Sequence, residues 1–284
     1  MKTIAITGSN GFIGKQLIPV LKSLGYPVLE ISRSSGLNIA DWNSVKDLPK
    51  CDVMIHLAAK TFVPDSFDNP REFYDINQTV TINSLELARL WDAKFIHMSS
   101  YFYGPPQYLP VDENHPLKPH NPYAQTKLIS ENIVSGYCRD FNIQGIIFRL
   151  FNIYGPNQDD SFLIPTILKQ VKEGKVELKN PRPKRDFIHV LDVVDAILTS
   201  IETHFDGLEI VNLGSGFSYS VEEIVDLFSR FSKKTFEVNY TNEFRKGEVL
   251  DSVSSKSKIL DLLGWQPKIS IETGIAQLLK SESL

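Results

Sequence analysis

Along the first half of the chain, short apolar runs alternate with longer stretches in which apolar residues return every three or four positions. Residues 3–7, 27–31, 52–57, 94–98 and 145–150 read as strands, and residues 11–24, 75–91 and 123–141 as helices. This alternation predicts an α/β fold: a doubly wound sheet of parallel strands with helices on both faces. In such sheets the ligand lies beyond the carboxyl ends of the strands, so the residues just past each strand are the candidates for chemistry.

Beyond residue 151 the pattern loosens into loops rich in Asn, Pro, Lys and Arg. Helical spacing returns at 163–173, 190–202 and 221–231, and 209–213 reads as a late strand that rejoins the first sheet. The expected division is a main unit of residues 1–152 plus about 187–213, with a smaller, discontinuous C-terminal lobe of about 153–186 and 214–284. A chain of 284 residues, 42% of them hydrophobic, has ample core for both. Its 30 basic and 34 acidic residues leave a formal charge of −4, which gives no general attraction to nucleic acid or an anionic membrane. Neither partner is expected. The two cysteines, Cys51 and Cys138, have no paired spacing and no Cys/His cluster around them. Neither a disulfide framework nor a metal site is expected, and a reducing compartment fits. The amino terminus turns glycine-rich too early for a secretory leader, and no stretch approaches the roughly 18 apolar residues of a membrane span. A cytoplasmic protein is the expectation.

Gly8-Ser9-Asn10-Gly11-Phe12-Ile13-Gly14 joins the first strand to the first helix. Its glycines permit a tight turn, close backbone approach to a pyrophosphate and close packing of helix on strand, while the helix amino terminus offers unpaired N–H donors. In that context the motif predicts a dinucleotide site. The residues at the end of the second strand select the dinucleotide. An acidic residue there holds the ribose diol, whereas a small polar residue with Arg next to it leaves room and charge for a 2′-phosphate. The chain reads Glu30-Ile31-Ser32-Arg33, with Glu30 still inside the strand, so NADP(H) is expected. NAD(H) remains possible if Glu30 reaches the ribose.

Tyr123 and Lys127 lie one turn apart at the start of a helix that opens after Asn121-Pro122. Ser99-Ser100 close the strand that precedes it. That strand end is where a doubly wound sheet places reactive groups, and with the glycine loop and the Tyr-Lys pair the serines become candidates for chemistry rather than for capping. His56 and His97 are expected to satisfy the ends of their strands rather than to bind metal.

These residues resemble the extended short-chain dehydrogenase/reductase family, and within it the nucleotide-sugar epimerases, dehydratases and reductases. The matching positions run in the family's order: Thr7-Gly8-x-x-Gly11-x-x-Gly14, His56-Leu57-Ala58-Ala59, Asn77, Ser99-Ser100, Tyr123-x-x-x-Lys127, Arg149-x-x-Asn152, and Arg185-Asp186-Phe187-Ile188-His189-Val190. The resemblance implies a Rossmann domain with a substrate lobe. It implies Tyr123 as acid/base, with Lys127 and the cationic oxidised ring lowering its pKa, Lys127 also holding the nicotinamide ribose, and Ser100 bonding the reacting oxygen; counting from the strand selects Ser100, and counting back from Gly104 would select Ser99. Asn77 and the Leu57-Ala58-Ala59 backbone would shape the cofactor pocket. Asn152, Arg185 and Arg245 would meet a nucleoside-diphosphate sugar, the arginines pairing with its diphosphate. A homodimer through the helices near 77–91 and 123–137 is also implied.

Reaction type is reached by subtraction. In the family a 4,6-dehydratase carries Asp-Glu immediately after the catalytic Ser or Thr, and here Tyr101-Phe102 come after Ser100. A 4-epimerase recycling tightly held NAD usually carries the ribose-binding acid. The expectation is therefore a reductase of a 4-keto-(6-deoxy) sugar nucleotide in surface-polysaccharide synthesis, the alternative being a 4-epimerase. A non-catalytic dinucleotide-binding protein is the third reading, and the intact Ser100, Tyr123 and Lys127 argue against it.

Overall fold

The computed structural model describes residues 1–101, 104–243 and 248–284. In chain order the strands are β1 (Ile4–Thr7), β2 (Val28–Ile31), β3 (Val53–His56), β4 (Lys94–Ser100), β5 (Gly145–Leu150), β6 (Asn152–Tyr154), β7 (Lys175–Leu178), β8 (Lys184–His189), β9 (Leu208–Leu213), β10 (Ser218–Ser220) and β11 (Glu237–Tyr240). The helices are α1 (Phe12–Ser23), α2 (Trp42–Val45), α3 (Val63–Asp68), α4 (Pro70–Trp91), α5 (Pro122–Phe141), α6 (Leu163–Glu173), α7 (Val190–Glu202), α8 (Val221–Phe231), α9 (Ser257–Leu263) and α10 (Ile271–Ser281).

The first of two compact units comprises Met1–Gly104, Pro116–Leu150 and Val194–Asn212. Its six-stranded sheet has the order β2-β1-β3-β4-β5-β9, so the expected late strand does rejoin it. β1 pairs in parallel with both β2 and β3, β3 with β4, and β4 with β5. β1, β3, β4 and β5 are buried at every position, as strands covered on both faces must be. The order reverses at β1, which places the ends of β1 and β3 at the switch point where such sheets bind ligands.

Local chemistry explains the long helices. In α5 the Asn121 carboxamide oxygen accepts the Ala124 N–H at 2.8 Å, Pro122 occupies the first turn, and Asn142 ends the helix with φ +54°. α4 begins at Pro70, earlier than apolar spacing alone indicates, because its first three residues, Pro70, Arg71 and Glu72, are exposed. Val80, Leu87, Ala88 and Trp91 of α4, and Val134 and Cys138 of α5, pack with Met54 and Phe95 of the sheet in one core.

The second unit comprises Pro105–His115, Phe151–Val193 and Leu213–Leu284. It contains a three-stranded sheet, β10-β8-β6, and a two-stranded one, β11-β7. Residues 105–115, 151–152, 187–193 and 213 thus group with this unit, whereas the division drawn from the sequence puts them in the main one. β8 pairs parallel with β6 and antiparallel with β10, and Val111 bridges Ser254. A capping box between Ser220 and Glu223 starts α8, and Ile224, Phe228, Ile275 and Leu279 build this unit's own core around Tyr154. Among the described residues no helix is long and apolar enough to cross a membrane.

Candidate functional site

The glycine loop occupies the end of β1 in the first unit. Gly8 has φ +68°, and a Cβ there would stand 2.8 Å from the Ala58 backbone nitrogen; a Cβ on Gly14 would collide with the Ser9 carbonyl oxygen. Both positions thus demand glycine. Gly11 is the N-cap of α1 and supplies no side-chain acceptor to the N–H groups of the first turn. Asn10 is exposed, Phe12 and Ile13 are half-buried and open the helix, and Leu57, Ala58 and Ala59 continue from β3 beside the loop. A tight backbone cradle on an uncapped helix amino terminus fits the pyrophosphate of a dinucleotide.

Ser32 and Arg33 lie just beyond β2. Ser32 caps a short 3-10 turn over Arg33–Ser35, and the Asn10 carboxamide donates to its hydroxyl at 3.2 Å and to that of Ser34. Arg33 is exposed and its side chain has no bonding partner among the described residues. Glu30 is within β2, and its carboxylate is paired with Lys22 at 2.7 Å.

Ser100 ends β4, while Tyr123 and Lys127 occupy the first turns of α5. The Tyr123 phenol is hydrogen-bonded to Ser100; burial nevertheless dominates and pushes it up to about 12, with the Ser100 bond opposing. The lowering that the family resemblance implies comes from Lys127 acting together with the oxidised nicotinamide ring; among the protein's own groups burial is the largest influence on the phenol. The Lys127 ammonium is buried, donates to the Met98 carbonyl oxygen at 2.7 Å, and is drawn down to about 8 by desolvation, with Glu131 opposing. Glu131 itself forms a buried ion pair with Arg149 of β5 at 2.8 Å, which ties α5 to the sheet.

Asn77 of α4 is buried and clamps the turn after β3. It accepts the Lys60 N–H at 2.8 Å, and its amide donates to the Lys60 carbonyl oxygen at 3.1 Å and to Thr126 at 3.0 Å. The Lys60 side chain pairs with Glu72 at 2.5 Å. Both ring nitrogens of His56 are bonded, but among the described residues neither ring nitrogen of buried His97 has a hydrogen-bond partner, contrary to the expectation for that strand. Burial keeps both imidazoles neutral, and the charge of Lys127 adds to the effect. Sequence patterns gave no signal for Thr81, Thr126 or Ser130, which join this network from two helices.

In the second unit, the Asn152 amide of β6 donates to the Asp186 carbonyl oxygen at 3.0 Å. Arg185 is half-buried, and its Nη1 donates to the carbonyl oxygens of Lys184 and Val249 at 2.8 and 2.7 Å. Lys179 pairs with Glu243 at an exposed position. Arg245 lies outside the described residues. Among those residues no group of three or more His, Cys, Asp or Glu side chains is gathered as for a metal ion.

Residues 4–214 match the NAD dependent epimerase/dehydratase family. The GDP-6-deoxy-D-talose 4-dehydrogenase of Aggregatibacter actinomycetemcomitans is 34% identical, with 92% of this chain and 91% of that protein covered. The UDP-glucose 4-epimerase of Rhizobium meliloti is 29% identical, covering 94% and 93%. The structure of RMD from Pseudomonas aeruginosa complexed with NADPH is similar with a TM-score of 0.91 at 27% identity, covering 99% of this chain and 98% of that one. With this match spanning both the glycine loop and the Tyr-Lys helix, the chain belongs to the NAD dependent epimerase/dehydratase family, as an enzyme of the extended short-chain dehydrogenase/reductase kind.

Proposed function

We propose that this enzyme reduces a nucleoside-diphosphate 4-keto-6-deoxy sugar with NADP(H). The observation that carries the reading is the end of β2. Glu30, the carboxylate of β2, is engaged by Lys22, while Ser32 and the Arg33 guanidinium, unpaired among the described residues, follow along the chain. That arrangement suits a 2′-phosphate better than a bare ribose diol. The NADPH complex of the Pseudomonas relative supports the same choice.

The glycine loop, the Leu57-Ala58-Ala59 backbone and Asn77 would hold the cofactor, and Tyr123 and Lys127 would border its nicotinamide end. When bound, the cofactor supplies the hydride that reduces the carbonyl carbon. Tyr123 gives its phenolic proton to the carbonyl oxygen, so that C=O becomes CH–OH and a phenolate remains. A phenol held near 12 is fully protonated at neutral pH, as an acid in the reductive direction must be. Ser100 donates to the same oxygen and steadies the charge developing on it. The Lys127 ammonium stabilises the phenolate until water reprotonates it. Arg185, whose Nη1 is already fixed by two backbone carbonyls, would present its remaining N–H groups to a diphosphate oxygen. Arg245 would be the second such arginine.

The test is incubation of purified protein with a panel of 4-keto-sugar nucleotides, with and without NADPH, beside dissociation constants for NADPH and NADH. Net NADPH oxidation with tighter NADPH binding is expected. Isomerised sugar nucleotide without net oxidation would instead identify a 4-epimerase, the activity of the Rhizobium relative. Tight cofactor binding without turnover of any panel member would restore the non-catalytic reading. The exposed Ile82, Leu90 and Phe141 on α4 and α5 support a homodimer through those helices, which sedimentation at micromolar concentration tests.

A further inference from the structure

The bonds around His56 form one continuous path through the first unit. The Ala58 N–H donates to the Thr7 hydroxyl oxygen at 3.3 Å, and that hydroxyl lies 2.8 Å from His56 Nδ1. His56 Nε2 lies 3.2 Å from the Thr81 hydroxyl, which gives its own proton to the main-chain carbonyl oxygen of Asn77, one turn earlier in α4, at 2.7 Å. The Asn77 amide donates to Thr126 at 3.0 Å, and the Thr126 hydroxyl donates to the carbonyl oxygen of Tyr123 at 2.8 Å. Every side chain on this path is buried.

Donor accounting fixes the direction of each bond. With its proton directed at the Asn77 main-chain carbonyl oxygen, or at the Ser130 hydroxyl 3.3 Å away, Thr81 has only lone pairs for the imidazole, so His56 Nε2 carries the hydrogen. Nδ1 is then bare and accepts from Thr7. Ser84, 3.1 Å from Nδ1, sends its proton to the Val80 carbonyl oxygen at 2.7 Å and does not compete. Burial, which lowers the His56 pKa to about 3, keeps the ring neutral, as this arrangement requires. A satisfied buried network admits one arrangement of the elements it joins. Here those elements are the strand that leads into the glycine loop and the helix that carries Tyr123.

We propose that His56 is a positioning residue for the reductase reaction: as the Nε2–H tautomer, it fixes the Tyr123 end of α5 to the Thr7–Gly8 and Ala58 ends of β1 and β3. The inference rests on the proposed acid role of Tyr123 only for its kinetic consequence. Loss of the path leaves the glycine cradle and substrate groups in place but lets the phenol drift, and catalysis falls steeply with such displacement.

Three variants and two spectroscopic signals test it. Thr81→Val and His56→Leu are expected to lower kcat by about 10- to 100-fold. The NADPH dissociation constant and the substrate KM should stay within about three-fold of wild type. His56→Gln, whose amide offers one donor and one acceptor, should recover most of the lost kcat. Nitrogen-15 spectra of the whole protein should show the His56 ring as the neutral Nε2–H tautomer. The carbon-13 signal of the Tyr123 ring carbon bearing oxygen should move in Thr81→Val but not in His56→Gln. An Nδ1–H tautomer, an unmoved Tyr123 signal in folded Thr81→Val, or unchanged kcat in that variant would overturn the proposal. If wild type itself turns over no sugar nucleotide, the reductase reading fails, and the two spectroscopic signals still decide the positioning role.

Discussion

Asp186 in the second unit is fully buried, and its carboxylate accepts from the backbone N–H groups of Ser215, Gly216 and Ser254 and from the hydroxyls of Ser215 and Ser254, all between 2.7 and 3.0 Å. The buried polar groups near Tyr123 in the first unit are treated otherwise. His97 has no partner for either nitrogen, Lys127 gives one bond to a carbonyl oxygen, and burial forces the pKa values of Tyr123 and Lys127 in opposite directions, to about 12 and about 8. A saturated carboxylate has nothing left to offer a ligand, so its work is to hold two loops to β8. Groups left with unused bonding capacity at a cost in desolvation mark the place where chemistry belongs.

Substitution at the two centres should separate them. Tyr123→Phe is expected to reduce turnover by about 10³-fold, roughly 4 kcal/mol of transition-state stabilisation. Its thermal midpoint should move by only about 2 °C, because a single partly satisfied hydrogen bond is lost. NADPH oxidation and a thermal melt on the same sample check both halves. Asp186→Ala is expected to behave in reverse. It strands five donors and should cost about 3 kcal/mol of stability in urea unfolding, while turnover per folded molecule falls far less than in Tyr123→Phe. Equal losses of turnover in the two variants would break the distinction.

The same contrast explains what the sequence disclosed. The glycine loop, Asn121-Pro122 and the Tyr123–Lys127 spacing are local, each set by residues within a turn or two of one another, and each lies where the apolar pattern puts it. β6 and β10, of three residues each, are too short to establish a period, and β8 shows no alternation of buried and exposed positions, so the sheet that contains Asp186 was not legible. Nor was the saturation of Asp186, whose partners stand 29, 30 and 68 positions away. The isolation of His97 was missed for the related reason that a polar residue inside a buried strand reads as satisfied until its neighbours from other elements are known.

A third experiment asks whether unused capacity extends to the rim of the cofactor site. Arg33 is exposed and unpaired among the described residues, so its removal should cost no stability. Arg33→Ala is expected to weaken NADPH binding by about ten-fold, the loss of one exposed charged contact to phosphate, and to leave NADH binding unchanged. Fluorescence titration with each cofactor measures the pair. Equal weakening of both would place Arg33 away from the 2′-phosphate.

The smallest effect concerns pH, and its sign differs between activity and stability. Lys127 is held at about 8 in the folded protein, against an ordinary value of 10.5. In the proposed reaction its ammonium stabilises the Tyr123 phenolate, so turnover should be level below pH 8 and fall as pH rises through it, by about ten-fold at pH 9. Between about 8 and 10.5 the unfolded chain holds the Lys127 proton and the folded protein does not. The contribution of this group to stability therefore rises with pH over the window in which activity declines, and it is fully unfavourable below pH 8. Lys127→Met should abolish both trends together, leaving lower but pH-independent turnover through this range and a more stable protein at pH 7. A pH–rate profile that kept its descending limb in Lys127→Met would assign that limb to another group.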